Sequence, residues 1–97
     1  MTGKERAYLR GLSNGLDTIL TVGKGGITEN VIKQADEALR ARELVKGRVL
    51  ETSLLSAREA AEAIGEAAEA EVVQTIGSRF VLFRRNPEEP KILFPRR

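Results

Sequence analysis

The amino-acid sequence predicts a single α/β (α+β) domain with the element order α-β-α-β-α-β-β and a four-stranded mixed sheet carrying three helices. Along the 97 residues, apolar positions recur alternately with the helical period and with the two-residue period of strands. The last two predicted strands are separated only by Gly77-Ser78, a pair typical of a type II′ hairpin turn. Strands separated by helices need crossover connections, so part of the sheet is expected to be parallel.

Two of the three predicted helices begin with a capping box, in which an N-cap hydroxyl is followed three residues later by a glutamate. These pairs are Thr2 with Glu5 and Ser56 with Glu59. The first helix, over about 4–12, is expected to end at Asn14-Gly15 because both residues tolerate a positive φ. The second helix covers about 28–41, with Thr28 as its N-cap. The third is alanine-rich, with alanines directed inward and glutamates outward.

The strands are predicted from β-branched runs and two-residue alternation, over 17–22, 44–50, 71–76 and 79–84. In the second strand, Lys46 and Arg48 share the face opposite to Val45, Gly47 and Val49.

Phe80 and Phe83 fall on opposite faces of the last strand, and both are expected in the core. Prolines then end the regular structure. The single domain 1–97 therefore closes with an irregular C-terminal tail over 86–97, in which Ile92-Leu93-Phe94 can pack back on the domain.

The composition excludes several kinds of site. The chain has no cysteine and no histidine, which removes thiol nucleophiles, disulfides, the usual proton shuttle near neutral pH and the commonest zinc ligands. We therefore expect a non-catalytic protein with no metal, no cofactor and no small-molecule substrate. The absence of a signal peptide and of a long apolar run predicts a cytoplasmic protein without a membrane partner, and we expect a monomer.

The charge is distributed unevenly although the net charge is only +2. Residues 51–71 contain six of the 14 acidic residues and one of the 16 basic residues. The third helix is therefore acidic and the rest of the chain is basic. This arrangement suits a protein that presents one face to a polyanion and the other to solvent.

The loop Gly23-Lys24-Gly25-Gly26, between a predicted strand and a predicted helix, is the strongest candidate site. Glycines permit close approach of a ligand to the backbone, and the N-terminus of the following helix favours an anion. Lys24 adds a cation, so the loop suits a phosphodiester backbone. It lacks the spacing of a Walker A loop and of a dinucleotide-binding fingerprint. Because a G-x-x-G loop is a weak motif on its own, a simple glycine-rich turn is the alternative.

Further basic residues could extend this site. The candidates are Arg10, Lys46, Arg48, Arg79 and Arg84. Each could equally belong to a solvated surface or to a charged strand end, as most exposed charges do. With only four aromatic residues, the chain favours recognition of backbone and shape over base stacking.

Over almost its whole length, the sequence resembles the CRM domain (chloroplast RNA splicing and ribosome maturation), and especially its stand-alone bacterial, YhbY-like form. The motifs that carry the resemblance are Leu9-Arg10-Gly11-Leu12, the run from Val22 to Thr28, the run from Glu43 to Val49, and the run from Gln74 to Arg84.

The resemblance implies a fold similar to the C-terminal domain of translation initiation factor three. It implies RNA binding, with bacterial members associated with precursors of the large ribosomal subunit. It places the family's G-x-x-G loop on Gly23 to Gly26, and the family's basic strand and strand end on Lys46, Arg48 and Arg84. Two positions depart from the family pattern. Gly47 replaces a β-branched residue, which predicts a loosened strand or a bulge, and Ser78 replaces a frequent lysine, for which Arg79 can compensate.

Two other classes of function remain open at this stage. The acidic third helix or the Ile92-Leu93-Phe94 segment could dock a protein partner, with RNA contact incidental. An enzyme would need chemistry supplied by its substrate, because no paired-carboxylate pattern is present.

Overall fold

The computed structural model describes residues 1–94 and confirms the predicted order of elements, with bounds within about two residues of those expected. The helices are α1 (Gly3–Ser13), α2 (Glu29–Arg42) and α3 (Ala57–Ala68), and the strands are β1 (Thr18–Val22), β2 (Leu44–Val49), β3 (Glu71–Ile76) and β4 (Arg79–Phe83). From Arg84 to Phe94 the chain is an irregular tail, and the predicted part of this tail over 95–97 lies outside the described residues.

The helix starts form as the sequence predicts, but the end of α1 differs in its backbone conformation. Thr2 and Ser56 both form complete capping boxes, and Thr28 caps α2 by accepting a hydrogen bond from the backbone of Val31. The prediction of a positive φ after α1 is wrong. Asn14 has a right-handed helical φ of −60°, and Gly15 is not in the positive-φ region.

The positive-φ positions instead follow α2 and α3, at Glu43 (φ 66°) and Glu69 (φ 57°). A glutamate at such a position is strained relative to glycine, so neighbouring contacts must hold it there.

The sheet has the strand order β1-β2-β4-β3. β1 and β2 are parallel and joined through α2, whereas β4 is antiparallel to both of its neighbours, β2 and β3. The predicted mixed sheet is therefore confirmed, and its last strand lies between the two strands that precede it. Gly77 has a φ of 57° in the turn between β3 and β4, as a type II′ turn requires at its first central position.

The sheet separates two apolar clusters, so the protein has three layers. The larger cluster lies between the sheet and helices α2 and α3, and Phe80 belongs to it. The smaller cluster lies between the sheet and α1; its buried members are Leu9, Leu44, Val73, Val81 and Phe83. Phe80 and Phe83 are thus buried on opposite faces of β4, as predicted from their spacing.

Gly47 neither interrupts the pairing of β2 with β4 nor marks a bulge in β2, so that expectation is wrong. The register of β2 with β4 is continuous, with Gly47 opposite Phe80. A Cβ at position 47 would lie 2.6 Å from Cε1 of Phe80 and closer still to Cζ, so only glycine leaves room for the buried ring. The irregularity lies in the facing strand instead, between Thr18 and Leu20 of β1.

A buried carboxylate fixes the C-terminal tail to the domain. The side chain of Glu43 is completely buried. It accepts hydrogen bonds from three backbone N–H groups of the tail, those of Asn86 (2.6 Å), Lys91 (2.8 Å) and Ile92 (2.8 Å). Burial alone would raise the pKa of Glu43. The three N–H donors and the Arg85 guanidinium at 3.5 Å outweigh burial, so the pKa lies below its ordinary value.

No helix within residues 1–94 combines the length and the apolar character needed to cross a bilayer.

We expect Gly47→Ala to lower the free energy of unfolding by about 1–3 kcal/mol, because the new methyl group must displace the Phe80 ring or the strand. The matched control is Gly11→Ala in α1, where a Cβ meets nothing within 4 Å. That change should be neutral or should stabilise by up to about 1 kcal/mol, since alanine favours a helix. Urea denaturation of both variants measures the difference, and equal midpoints would contradict this explanation of Gly47.

We expect Glu43→Gln to lower the free energy of unfolding by about 2–4 kcal/mol at neutral pH, because an amide cannot accept all the hydrogen bonds of the carboxylate. The pKa of Glu43 is lower in the folded than in the unfolded protein, so its contribution is complete above the unfolded value of about 4.3. The contribution is lost as the pH falls through the folded pKa. The difference between wild type and Glu43→Gln should therefore be constant at neutral pH and should shrink in acid.

Urea denaturation across a pH series measures this difference. The control is Glu88→Gln, which removes an exposed carboxylate of the same tail and should change little. A difference that grew as the pH fell would contradict the assignment.

Candidate nucleic-acid interface

The glycine loop forms a tight turn between β1 and α2. The N–H of Gly26 donates to the carbonyl of Gly23 at 3.0 Å, and Gly26 has a φ of 71°, which L side chains rarely adopt. Lys24 and Gly25 are exposed at the tip of the turn. The loop therefore exposes the Lys24 side chain and the adjacent Gly25 to solvent.

Two of the three glycines are needed for packing and conformation within the protein. A Cβ at Gly23 would lie 3.3 Å from Cδ1 of Leu50, so the loop approaches the segment that follows β2 closely. Gly26 is needed for its positive φ. A Cβ at Gly25 would meet only an ordinary contact, with Thr28 at 3.7 Å. Gly25 is thus the glycine of this loop whose small size is not required by packing or by a positive φ.

The start of α2 is only a partial anion site by itself. Thr28 occupies one of its free N–H groups, and Glu29 places a carboxylate in the first turn. That carboxylate competes with a bound anion for the positive end of the helix dipole. Attraction of a phosphate at this position therefore depends on Lys24 and on cations from other elements.

Cations from β2 and β4 lie at the same end of the sheet as the loop. Arg48 pairs with Thr21 of β1 on one side and with Arg79 of β4 on the other, and both arginines are exposed. The N–H of Leu50 donates to the carbonyl of Val22, and that of Val49 donates to the carbonyl of Ser78, each at 2.8 Å. These bonds hold the ends of β1 and β2 and the β3–β4 turn together, next to the glycine loop.

Arg10 and Lys46 extend this basic area over the face that carries α1. Lys46 points to the same face of β2 as Leu44 and Arg48. Its side chain is half-buried and donates from Nζ to the carbonyl of Ser13 at 3.4 Å. On α1, Arg6 donates to the carbonyls of Val72 (2.6 Å) and Val73 (3.1 Å) of β3.

Arg10 is exposed and lies one helical turn after Arg6 and three residues before Ser13. It therefore lies on the same side of α1 as Arg6 and Ser13. The structure therefore brings Lys46, Arg48, Arg79 and the loop to one area, which we call the basic sheet end, and it places Arg10 on α1, over the same face of the sheet.

Arg84 lies elsewhere. It follows the far end of β4, about 17 Å along the strand from Arg79. Its guanidinium pairs with Asp36 at 2.7 Å and donates to the carbonyl of Ala68 at 2.8 Å. The hydrogen bond from Arg84 lowers the pKa of Asp36. Arg84 therefore connects α2 to the end of α3 and lies at the other end of β4, so it is not part of the basic sheet end.

Two exposed apolar residues at the basic sheet end were not singled out from the sequence. Ile76 pairs with Arg79 and is 64% exposed, and Leu54, in the connection between β2 and α3, is 94% exposed. The two-residue turn at Gly77-Ser78 was a usable signal for Ile76, because it makes Ile76 and Arg79 direct cross-strand neighbours. Leu54 had no comparable signal.

The aromatic residues and the glutamates of α3 lie away from this surface. None of the four aromatic side chains, all of which fall within the described residues, is exposed. The glutamates of α3 are exposed on the other side of the sheet from α1. Within residues 1–94 no cluster of three or more acidic side chains could hold a metal ion. The basic sheet end is thus a cationic surface with apolar residues beside it and without an exposed ring for base stacking.

Comparison with known proteins shows similarity over almost the whole chain. Residues 1–84 match the family model of the CRS1/YhbY (CRM) domain. A Bacillus subtilis protein named as a probable RNA-binding protein, YqeI, is 41% identical over 95 residues, which are 98% of this chain and 99% of the relative. A Haemophilus influenzae protein named as an RNA-binding protein is 34% identical over 97 residues, which are 100% of this chain and 97% of the relative.

The solved structures also include a close match. The solution structure of protein SAV1595 from Staphylococcus aureus superposes with a TM-score of 0.80 at 45% identity, covering 98% of this chain and 99% of that one. The resemblance that the sequence motifs indicated is therefore confirmed, and the chain belongs to the CRS1/YhbY (CRM) domain family.

Proposed function

We propose that this protein is a non-catalytic RNA-binding protein that contacts the RNA backbone through its basic sheet end. The observation that carries the proposal is the convergence of cations from a loop and two strands at one end of the sheet, next to an exposed glycine turn. These are Lys24 from the loop, Arg48 from β2 and Arg79 from β4, and α1 carries a further exposed cation, Arg10, over the same face of the sheet. Relatives that align over nearly their whole length are named as RNA-binding proteins, which supports RNA as the partner.

The arrangement favours recognition of backbone and shape. Lysine and arginine side chains on a sheet and a loop can contact successive phosphates, and Gly25 lets the chain approach the backbone closely. Base stacking would need exposed rings, and all four aromatic side chains are buried or half-buried. The acidic α3 lies across the sheet, so a polyanion is repelled from that side and is oriented toward the basic sheet end.

We further propose that the RNA is ribosomal and belongs to precursors of the large ribosomal subunit, so that the protein assists ribosome assembly. This finer proposal rests on the resemblance to bacterial members of the family.

We expect phosphate contacts to make binding strongly dependent on salt. With about four cations engaged, the slope of log K against log salt should be near −3, so affinity for a structured RNA should fall on the order of 50-fold between about 50 and 200 mM salt. Lys24→Ala should weaken binding to many RNA sequences by a similar factor and should reduce the slope by about one. Fluorescence anisotropy titrations at several salt concentrations measure both quantities.

The matched control is Arg58→Ala, which removes an exposed arginine from the acidic α3, where it pairs with Glu62 at 3.2 Å. It should leave both affinity and slope unchanged. An equal loss in the two variants would mean that net charge, and not the basic sheet end, determines binding. A loss from Lys24→Ala confined to one RNA sequence would instead indicate base recognition.

We expect the protein to sediment with precursors of the large subunit in cell extracts and to be released by ribonuclease. In-cell crosslinking followed by mapping of the crosslinked positions identifies the RNA. Association that survived complete removal of RNA would favour a protein-interaction module. Crosslinks confined to other RNAs would contradict the ribosomal proposal while leaving RNA binding intact.

A further inference from the structure

Helix α1 is attached to the sheet by few contacts. Its only fully buried side chains are Leu9 and Ser13, whereas α3 buries six residues. On one side of the helix, Arg6 is bound to backbone carbonyls near the start of β3. Because little apolar surface is buried, this helix depends on supporting contacts along its other side.

The C-terminal tail supplies those contacts. Phe94 packs against Tyr8 of α1 and against Phe83 of β4, with ring centroids 5.9 and 5.8 Å apart. The guanidinium of Arg85 lies over the rings of Phe83 and Phe94, at 5.6 and 5.2 Å from their centroids. Aromatic pairs and cation–π contacts of this geometry stabilise beyond simple burial. Phe94 thus supports the side of α1 opposite to Arg6 and Arg10.

The tail is itself held firmly. Glu43 binds three of its backbone N–H groups, and Arg85 donates to the carbonyl of Ile92 at 2.7 Å. The Asn86 side chain donates to the carbonyl of Arg40 at 3.1 Å. The matched family model ends at residue 84, the first residue of this tail. A continuous series of contacts therefore leads from α2 through the tail to Tyr8 and α1.

We propose that the C-terminal tail is a positioning element of the RNA interface, with Phe94 as the positioning residue that holds α1 so that Arg10 faces the bound RNA. This inference rests on the RNA-binding function proposed above. Phe94 does not touch RNA. It acts through Tyr8, and its effect on affinity depends on the presence of Arg10.

The test is a double-mutant cycle with a structured RNA, measured by fluorescence anisotropy. Phe94→Ala should lower affinity about three- to tenfold. In an Arg10→Ala background, the same change should have little further effect, since both act through one contact. Leu93→Ala, which alters a neighbouring tail residue that is 77% exposed, should leave affinity unchanged. Phe94→Ala is preferable to truncation because it retains Arg96 and Arg97.

Hydrogen exchange supplies a readout that does not involve RNA. Phe94→Ala should reduce protection of the α1 amides and leave the α3 amides protected. If α3 also lost protection, the domain would be unfolding, and the cycle would be repeated with Phe94→Leu, which keeps an apolar contact without the ring.

Equal effects of Phe94→Ala in both backgrounds would overturn the proposal, as would reduced α1 protection without a change in affinity. If the wild-type protein bound no RNA, the proposed function itself would be wrong, and the positioning role would fall with it.

Discussion

The pairing of β4 with β2 is the interaction on which the rest of the structure depends. It places the last strand between two strands formed earlier in the chain, and it brings the Phe80 ring over Gly47, where no side chain could be accommodated. Once β4 lies there, its two faces belong to different apolar clusters, with Phe80 under α2 and α3 and Phe83 under α1. A three-layer domain follows from one strand whose alternate side chains are buried on both faces.

The same pairing creates the basic sheet end. Because β4 begins where β2 ends, Arg79 becomes the neighbour of Arg48, and the hairpin turn lies beside the end of β2. The loop that carries Lys24 is placed there by the parallel pairing of β1 with β2. Cations separated by more than 50 residues in the chain thus form one surface. The acidic α3 covers the opposite face of the sheet, so the molecule has two sides of unlike charge.

Features encoded by neighbouring residues were predictable, whereas features that depend on distant contacts were not. The capping boxes at Thr2 and Ser56 and the turn at Gly77 are local signals, and all three form as expected. The sequence predicted a loosened strand or a bulge at Gly47, because its packing partner, Phe80, lies 33 residues away in the sequence. Arg84 was predicted to contact RNA because it follows the end of a strand. Its guanidinium instead forms an ion pair with Asp36, which lies on a helix far earlier in the chain.

By itself, the sequence determined the number, order and approximate bounds of the elements, the division into basic and acidic parts, and the family, because periodicity, caps, turns and ordered motifs are written in adjacent residues. Only the tertiary structure decided which strand is central, which cations share a surface, and what the buried Glu43 does. Those outcomes depend on packing between residues that are remote in the chain. A carboxylate such as that of Glu43 can be buried only where the fold supplies three N–H donors to receive it.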